Sequence, residues 1–204
     1  MAQLASDNFN RANENPLAAP WVIPQVGQGI QLVSNQTQGA NASQDNVAIY
    51  DGGIAWPDDQ YSQATMVGPF DGANTQGLVI RWNNTSNGYA LVLGPTSGDA
   101  VVYIVTNGGY VALSLPSVAL VANDVMTFEA RGDLLTVRQN GQILTSLTDT
   151  GWRHGSPGLH TFNNAAGLAW DNWSGGDYAR TPGVVIHETA RPQKSYSVGK
   201  AHVR

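Results

Sequence analysis

The segment from Asp124 to Thr148 constrains the fold most, because it combines alternating β-type residues with two tight-turn signals. Asn140-Gly141 tolerates the positive φ angles that both central residues of a type I′ turn require. Gly132-Asp133 supplies the other turn. These turns divide the segment into three predicted strands, Val125–Arg131, Leu134–Gln139 and Gln142–Leu147. Three successive strands joined in this way predict an antiparallel sheet.

Similar short runs occupy most of the chain between Gln31 and Trp173, and Gly, Asn, Pro or Ser follows each. The other predicted strands are Tyr61–Val67, Gly77–Trp82, Gly88–Leu93, Ala100–Val105, Tyr110–Leu115, Leu159–Phe162 and Leu168–Trp173. The 204 residues include 23 Gly and 10 Pro and only 12% are charged, which is typical of strands joined by tight turns. The sequence therefore predicts one all-β domain, an antiparallel two-sheet sandwich over residues 1–177.

The strand pattern stops after Gly175-Gly176, and residues 178–204 are predicted to form an extended basic arm. Residues 180–204 carry five basic and one acidic residue, net +4, whereas residues 1–179 carry five basic and fourteen acidic residues, net −9. We expect such an arm to dock on an acidic partner, for example a neighbouring copy, and not on nucleic acid, which the body would repel. The predicted anchor residues are Arg180, Val184, Val185, Ile186, Arg191, Lys194, Tyr196, Lys200 and Arg204.

Several motifs follow one another in an order found in a known group of domains. They are Ser6–Arg11 with Pro16, Leu17 and Trp21, then Asp59–Ser62, Gly77–Arg81 with Tyr89, Asn140-Gly141 with Asp149, Gly155–Leu159, and Trp170–Asp177. Over roughly residues 6–177 the chain resembles the concanavalin A-like, laminin-G-like jelly-roll domains of phage structural and bacterial surface proteins. The resemblance implies a jelly-roll sandwich.

The two ends of the predicted domain carry matching motifs, Asp7-Asn8-Phe9 and Asp171-Asn172-Trp173. In folds of this kind the first and last strands are neighbours, so Phe9 and Trp173 are expected to share the core. The Asp and Asn side chains would then satisfy backbone donors at the strand ends.

The sequence contains no recognisable catalytic pattern. The jelly-roll glucanases use two carboxylates on one strand, about 5 Å apart in retaining enzymes. Glu129 has Arg131 and Asp133 at the second and fourth following positions, and the other glutamates are Glu14 and Glu188. His154, His160, His187 and His202 lack metal-ligand spacing, and there is no cysteine. We therefore expect neither enzymatic activity nor a cofactor.

Two further motifs favour a structural role over a functional one. Asp58-Asp59 with Asp51, or separately Asp71 or Asp99, would offer oxygen ligands to a structural calcium ion, but acidic turn residues are commonplace. Arg131-Gly132-Asp133 is formally an integrin-type tripeptide, and the need for a turn at this place explains it better.

Six tryptophans in a lectin-like fold raise the question of sugar stacking, because an indole face binds the apolar face of a pyranose. The candidates adjoin loops rich in Asn and Asp and are Trp56, Asp58, Asp59, Trp82, Asn83, Asn84 and Trp152. Trp21, Trp170 and Trp173 alternate like core residues. The alternative that all six tryptophans pack in the core or at its rim stays open.

Two hypotheses of function follow. The first is a non-catalytic virion structural or accessory protein, such as a phage capsid decoration protein or another surface-displayed protein, anchored by its arm to a capsid or other assembly protein as a homo-oligomer. The second is a carbohydrate-binding lectin-like module that aids adsorption to host or surface glycans. Residues 1–10 lack the regions of a signal peptide and no apolar run of about 18 residues occurs, so synthesis in a host cytoplasm and no membrane partner are expected. The first hypothesis adds a final place on the virion surface.

Overall fold

A computed structural model describes residues 1–24, 29–67, 75–83, 85–94, 99–114, 117–163 and 169–178. Over these residues the chain forms fifteen β-strands and no helix. The strands are β1 (Ala2–Asp7), β2 (Trp21–Val22), β3 (Ile30–Val33), β4 (Gln36–Gly39), β5 (Asp45–Tyr50), β6 (Gln60–Val67), β7 (Thr75–Trp82), β8 (Gly88–Gly94), β9 (Asp99–Thr106), β10 (Gly109–Ser114), β11 (Val125–Arg131), β12 (Leu134–Gln139), β13 (Gln142–Thr148), β14 (Ser156–Phe162) and β15 (Ala169–Asp177).

The strands form two antiparallel sheets that pack face to face. The first sheet has the order β13-β12-β11-β6-β15-β4-β3, and β1 also pairs with β15. The second sheet has the order β10-β9-β8-β7-β14-β5-β2. The predicted all-β two-sheet sandwich is confirmed. The described part of the chain holds no helix long and apolar enough to cross a membrane.

The predicted three-strand unit is confirmed almost to the residue as β11, β12 and β13. Asn140 and Gly141 both have positive φ, 50° and 82°, and Gly132 has a φ of 55°. β13 runs one residue further than predicted, to Thr148, which pairs with Leu134. Local turn chemistry thus sets the register of this edge of the first sheet.

The predicted pairing of the two ends is also confirmed. β1 runs antiparallel to β15, and Phe9 and Trp173 are both buried in the main core. The carboxylate of Asp7 accepts bonds from the Phe9 backbone N–H at 2.8 Å and from the Trp21 indole N–H at 2.7 Å.

The last strand differs from the prediction, because it continues through Gly175-Gly176 to Asp177. These glycines permit a close approach of neighbouring chain segments. A Cβ on Gly176 would collide with the carbonyl oxygen of Ala2, and one on Gly175 would lie 2.8 Å from the ring of Trp173. The glycine pair therefore belongs to a paired strand and does not end it.

The main core lies between the two inner faces. Its largest members from the first sheet include Met66, Phe128 and Trp173, and they meet Leu78, Leu91 and Leu159 of the second sheet. Trp21, Trp170 and Trp173 are buried, as their alternation predicted. Complete burial of each large apolar side chain contributes about 2–3 kcal/mol, and this is the main stabilisation available to a chain without disulfides.

A second apolar cluster covers the opposite, outer face of the second sheet. Leu78 and Ile80 of β7 point into the main core, whereas Val79 between them belongs to this second cluster. The buried members of the second cluster are Val47, Ile49, Val79, Trp82, Ala90 and Val105. The second sheet is therefore apolar on both of its faces.

The second sheet also curves strongly around this outer face. Tyr110 lies on β10 and His160 on β14, and three strands separate them. In a flat sheet the two strands would be about 19 Å apart. The ring centroids are nevertheless 6.0 Å apart, so the edge of the sheet curls over its own outer face and leaves a groove there.

Candidate functional site

The groove on the outer face of the second sheet, here called the outer groove, is divided in two by Tyr110. One compartment has a volume of about 190 Å³ and is lined by Gln44, Asp45, Val47, Trp82, Ser86, Gly108 and Tyr110. The other has a volume of about 320 Å³ and is lined by Asp45, Thr75, Val92, Tyr103, Tyr110, His160 and Phe162. Aromatic and aliphatic walls with a few polar groups are typical of a small-molecule site.

Asp45 and His160 form the polar centre of the outer groove. Asp45 opens β5 and pairs with Phe162 of β14, and strand alternation places His160 on the same face as Phe162. The imidazole Nε2 lies 2.8 Å from Oδ1 of Asp45. His160 fits because Gly77 lies beneath it, where a Cβ would come 2.9 Å from its Nδ1. His160 is buried, but the Asp45 side chain is 41% exposed to the groove.

Trp82 reaches the outer groove because β7 carries an extra residue near its end. Between the paired positions Val79↔Gly158 and Trp82↔Ser156, β7 has two residues and β14 has one. Arg81 takes up this bulge with a φ of 50°, so Trp82 faces the second cluster. The Trp82 side chain is 1% exposed and its indole N–H has no hydrogen-bond partner among the described residues.

Tyr110 closes over the second cluster and forms the wall shared by both compartments. Its ring meets that of Tyr103 edge-on at 5.5 Å. Burial raises the pKa of the Tyr110 phenol, and the nearby carboxylate of Asp45 raises it further. The hydroxyl therefore remains protonated and able to donate a hydrogen bond throughout the physiological range.

The loop residues that the sequence predicted as glycan ligands meet at one end of the sandwich around Arg81. This buried guanidinium donates to the carbonyl oxygens of Asp58 at 2.9 Å, Trp152 at 3.1 Å and Gly132 at 2.8 Å. Burial lowers the pKa of Arg81 below its usual value. Asp59 in turn accepts the Gly132 backbone N–H at 2.6 Å. These contacts join three loops and give the group a structural role.

The remaining candidates are also held by intramolecular bonds. The indole N–H of Trp56 donates to the Tyr50 carbonyl at 2.7 Å, and that of Trp152 to the Val105 carbonyl at 2.9 Å. The amide oxygen of Asn83 accepts backbone N–H groups of its own loop. Asn84 lies outside the described residues. Trp82 thus differs from Trp56 and Trp152, because it lines the groove and its N–H finds no hydrogen-bond partner among the residues that the structure describes.

Sequence reasoning missed the contributions of Asp45, Tyr103, Tyr110 and His160 to the outer groove. The sequence predicts no strand over β5, and His160 is considered there only as a metal ligand, for which the spacing is wrong. The signal available was the alternation of β10, which places Tyr110 on one face of its strand. Nothing in that pattern predicts contact with a strand four positions away in the sheet.

The acidic residues proposed for calcium do not converge in the described part of the chain. No group of three Asp, Glu or His side chains there could hold a metal ion. Asp58 pairs with His154, and Asp51 is exposed. Asp71 and the side chain of Asp99 lie outside the description, so their part in the calcium hypothesis stays a prediction.

The Arg131-Gly132-Asp133 tripeptide lies in the β11–β12 turn, as predicted. The Arg131 guanidinium lies 3.4 Å from the centre of the Tyr178 ring, and Asp133 pairs with Arg153. Glu129, the one glutamate considered for catalysis within a strand, is 2% exposed and bonded to Arg138 at 2.9 Å. Its carboxylate serves an ion pair on the outer face of the first sheet.

The predicted arm lies almost entirely outside the described residues. Tyr178, its first residue, is 8% exposed and packs against Tyr61 of the body. The nine predicted anchor residues from Arg180 to Arg204 all fall in the part that is not described. Their proposed contacts with an assembly partner stay a prediction.

No family model and no curated protein matches the sequence. Solved structures match in fold. A carbohydrate-binding module, CBM66 from Bacillus subtilis, has a TM-score of 0.58 at 16% identity, covering 78% of this chain and 92% of its own. The fold is a concanavalin A-like jelly-roll sandwich.

Two other structures share this jelly-roll sandwich. The exoplasmic/lumenal domain of VIP36, solved in a Ca²⁺/Man3GlcNAc-bound form, has a TM-score of 0.57 at 9% identity, covering 86% of this chain and 92% of its own. The potassium-bound carbohydrate recognition domain of Emp46p has a TM-score of 0.56 at 10% identity, covering 79% of this chain and 90% of its own. At these identities the likeness is one of fold.

Proposed function

We propose that this protein is a non-catalytic carbohydrate-binding module that holds a glycan in the outer groove. The observation that carries the proposal is the buried indole N–H of Trp82, which has no hydrogen-bond partner within the described ranges and belongs to a residue that lines the same compartment as Asp45. A buried donor without a partner costs about 1–3 kcal/mol, and a ligand oxygen would remove that cost.

The chemistry of the outer groove suits a sugar. Pyranoses present apolar C–H faces that pack on aromatic rings and hydroxyls that both donate and accept hydrogen bonds. Tyr103, Tyr110 and Trp82 provide aromatic surface. The Trp82 N–H can donate, and the Asp45 carboxylate can accept. These groups lie on strands, which hold them more rigidly than loops would.

The structural comparisons support the proposal, because the matching domains include a carbohydrate-binding module and two lectin-type domains. Fold alone does not determine function, so the residues of the outer groove carry the proposal. The described residues and the comparisons add nothing in favour of a capsid decoration role. That role, with its virion location and assembly partner, stays a prediction that concerns residues 178–204.

The proposal is tested with a pair of matched variants, Trp82→Phe and Trp56→Phe. Each removes one indole N–H and keeps an aromatic ring. On a glycan array followed by calorimetric titration of the best ligand, we expect Trp82→Phe to weaken binding at least tenfold, since a hydrogen bond in a desolvated site is lost. Trp56→Phe should keep the affinity, because its N–H donates within the protein.

An array on which the folded wild-type protein binds no glycan would contradict the proposal. Equal losses in the two variants would also contradict it, because they would assign the effect to general destabilisation. Thermal unfolding of both variants supplies the necessary control for folding.

A further inference from the structure

The described residues that line the outer groove carry a negative charge and no lysine or arginine to balance it. Among the described residues that line its two compartments, Asp45 is the sole carboxylate, and there is neither Lys nor Arg. Its Oδ1 is held by His160, and the structure gives Oδ2 no hydrogen-bond partner within the described ranges. With 41% of its side chain exposed, Asp45 presents a fixed negative charge and a free acceptor to any ligand.

The cationic side chains of the described body are all engaged elsewhere. Arg11 pairs with Asp7 and Glu14, Arg138 with Glu129 and Arg153 with Asp133. Arg81 is buried among carbonyl oxygens, and Arg131 stacks on Tyr178. Residues 1–179 contain no lysine and carry a net charge of −9 from fourteen acidic and five basic residues. The body therefore offers an anionic ligand no free cation.

We propose that the outer groove selects uncharged glycans and excludes acidic ones, such as those bearing uronic acid, sialic acid or sulfate groups. This inference rests on the proposed carbohydrate-binding function and goes further by naming the class of ligand. Asp45 accepts hydrogen bonds from neutral sugar hydroxyls through Oδ2. A ligand carboxylate or sulfate in the same place meets a like charge, and because the Asp45 side chain is 41% exposed, added salt screens the repulsion between them.

The test is a competition experiment on the full chain. A labelled neutral oligosaccharide chosen from the array is bound first, and its unlabelled neutral form and a carboxylated or sulfated counterpart compete for it. Only a competitor that occupies the outer groove displaces the labelled oligosaccharide. Binding of acidic sugars to the basic residues after position 179 therefore does not affect the measurement. We expect the acidic counterpart to compete at least about tenfold more weakly at low salt, and the difference to shrink as salt is added.

The Asp45→Asn variant removes the negative charge and keeps the shape of the side chain. Its amide oxygen still accepts a hydrogen bond from His160. In this variant the acidic and neutral competitors should displace half of the labelled ligand at concentrations that differ by less than about threefold. The matched control is Asp58→Asn, an exposed carboxylate outside the groove, which should keep the full discrimination.

The outcomes distinguish the inference from the function on which it rests. If no glycan binds the folded wild-type protein, both are overturned. If glycans bind but acidic and neutral forms compete equally, the inference is overturned and the carbohydrate-binding function stands. Discrimination that survives unchanged in Asp45→Asn also overturns the inference, because another feature of the groove would then cause it.

Discussion

The outer faces of the two sheets are built differently although both lie over the same core. On the first sheet, neighbouring strands present polar partners, such as Thr127 bonded to Gln63 at 3.0 Å and Arg138 bonded to Glu129 at 2.9 Å. On the second sheet, the corresponding positions are apolar and buried, and Tyr110 folds over them. Both faces carry a concavity: the one on the first face is lined by polar side chains such as Gln63 and Ser174, whereas the one on the second is lined by aromatic rings.

This difference accords with the proposal that a glycan binds on the second face. A strand with one solvated face alternates between apolar and polar residues, and β11 does so with Phe128 facing the core and Glu129 facing outward. β7 departs from this rule, since seven of its eight residues are buried. An apolar outer face needs a cover, which the curled edge of the sheet with Tyr110 supplies here, and under the proposed function the glycan lies beside that cover.

The largest expected effect comes from removing that cover with Tyr110→Ala. The change exposes the second cluster and leaves both compartments without their shared wall, so we expect a loss of about 3 kcal/mol in the free energy of unfolding. Glycan binding should be abolished. The matched variant on the other face, Tyr178→Ala, removes a buried ring that packs on Tyr61 and Arg131 and should destabilise the fold by a similar amount, about 3 kcal/mol.

Urea denaturation and calorimetric titration measure both quantities. Tyr178→Ala should bind glycan as the wild type does. If the two variants lost affinity equally, the assignment of binding to the second face would be wrong.

A smaller effect is expected from the ion pair of the first face. Arg138→Met leaves the 2% exposed carboxylate of Glu129 beside the neutral phenol of Tyr178 and the more distant Arg131, whose guanidinium lies 3.8 Å away. Since loss of one partner from a buried pair is costly, we expect destabilisation by about 2 kcal/mol and no change in glycan affinity. Arg153→Met, in an exposed pair, is the control and should change stability by less than about 0.5 kcal/mol.

The comparison of unfolding midpoints decides between a structural and a binding role for this face. A fall in glycan affinity for Arg138→Met at a temperature where the variant is fully folded would contradict the division between the two faces.

Local signals were sufficient to predict much of the fold. The strands β11 to β13 follow from Asn140-Gly141 and Gly132, because these turns fix the register within a few residues. The contact of β1 with β15 could be predicted only from the family resemblance, since more than 160 residues separate Asp7 from its partner Trp173. The burial of Phe9 and Trp173 then followed.

The outer groove could not be predicted in the same way. It depends on the curvature of a seven-stranded sheet, which brings Tyr110 to His160, and on one extra residue at Arg81, which turns Trp82 outward. Neither the curvature of the sheet nor the extra residue changes the alternation of apolar and polar residues in the sequence. The sequence makes Trp82 a candidate because polar loop residues follow it, whereas the structure makes it one because its N–H is buried and has no hydrogen-bond partner in the described part of the chain.

The smallest expected effect is a pair of pKa changes that separates the two faces. Burial and the nearby Glu129 carboxylate raise the pKa of Tyr178 to about 12, while burial and the Asp45 carboxylate raise that of Tyr110. Because a negative neighbour opposes phenolate formation, Glu129→Gln should lower the pKa of Tyr178 alone and Asp45→Asn that of Tyr110 alone. Site-resolved NMR of the tyrosine rings in an alkaline titration measures both.

The same titration has a consequence for stability. The unfolded chain releases the Tyr178 proton near its ordinary pKa of 10.0 and the folded chain only near 12, so the free energy of unfolding should fall as the pH rises between these values. In Glu129→Gln the folded pKa is lower, and the fall should therefore be smaller. A shift of both tyrosines in either single variant would show that the two carboxylates act across the sandwich, and the two outer faces would then be electrostatically coupled.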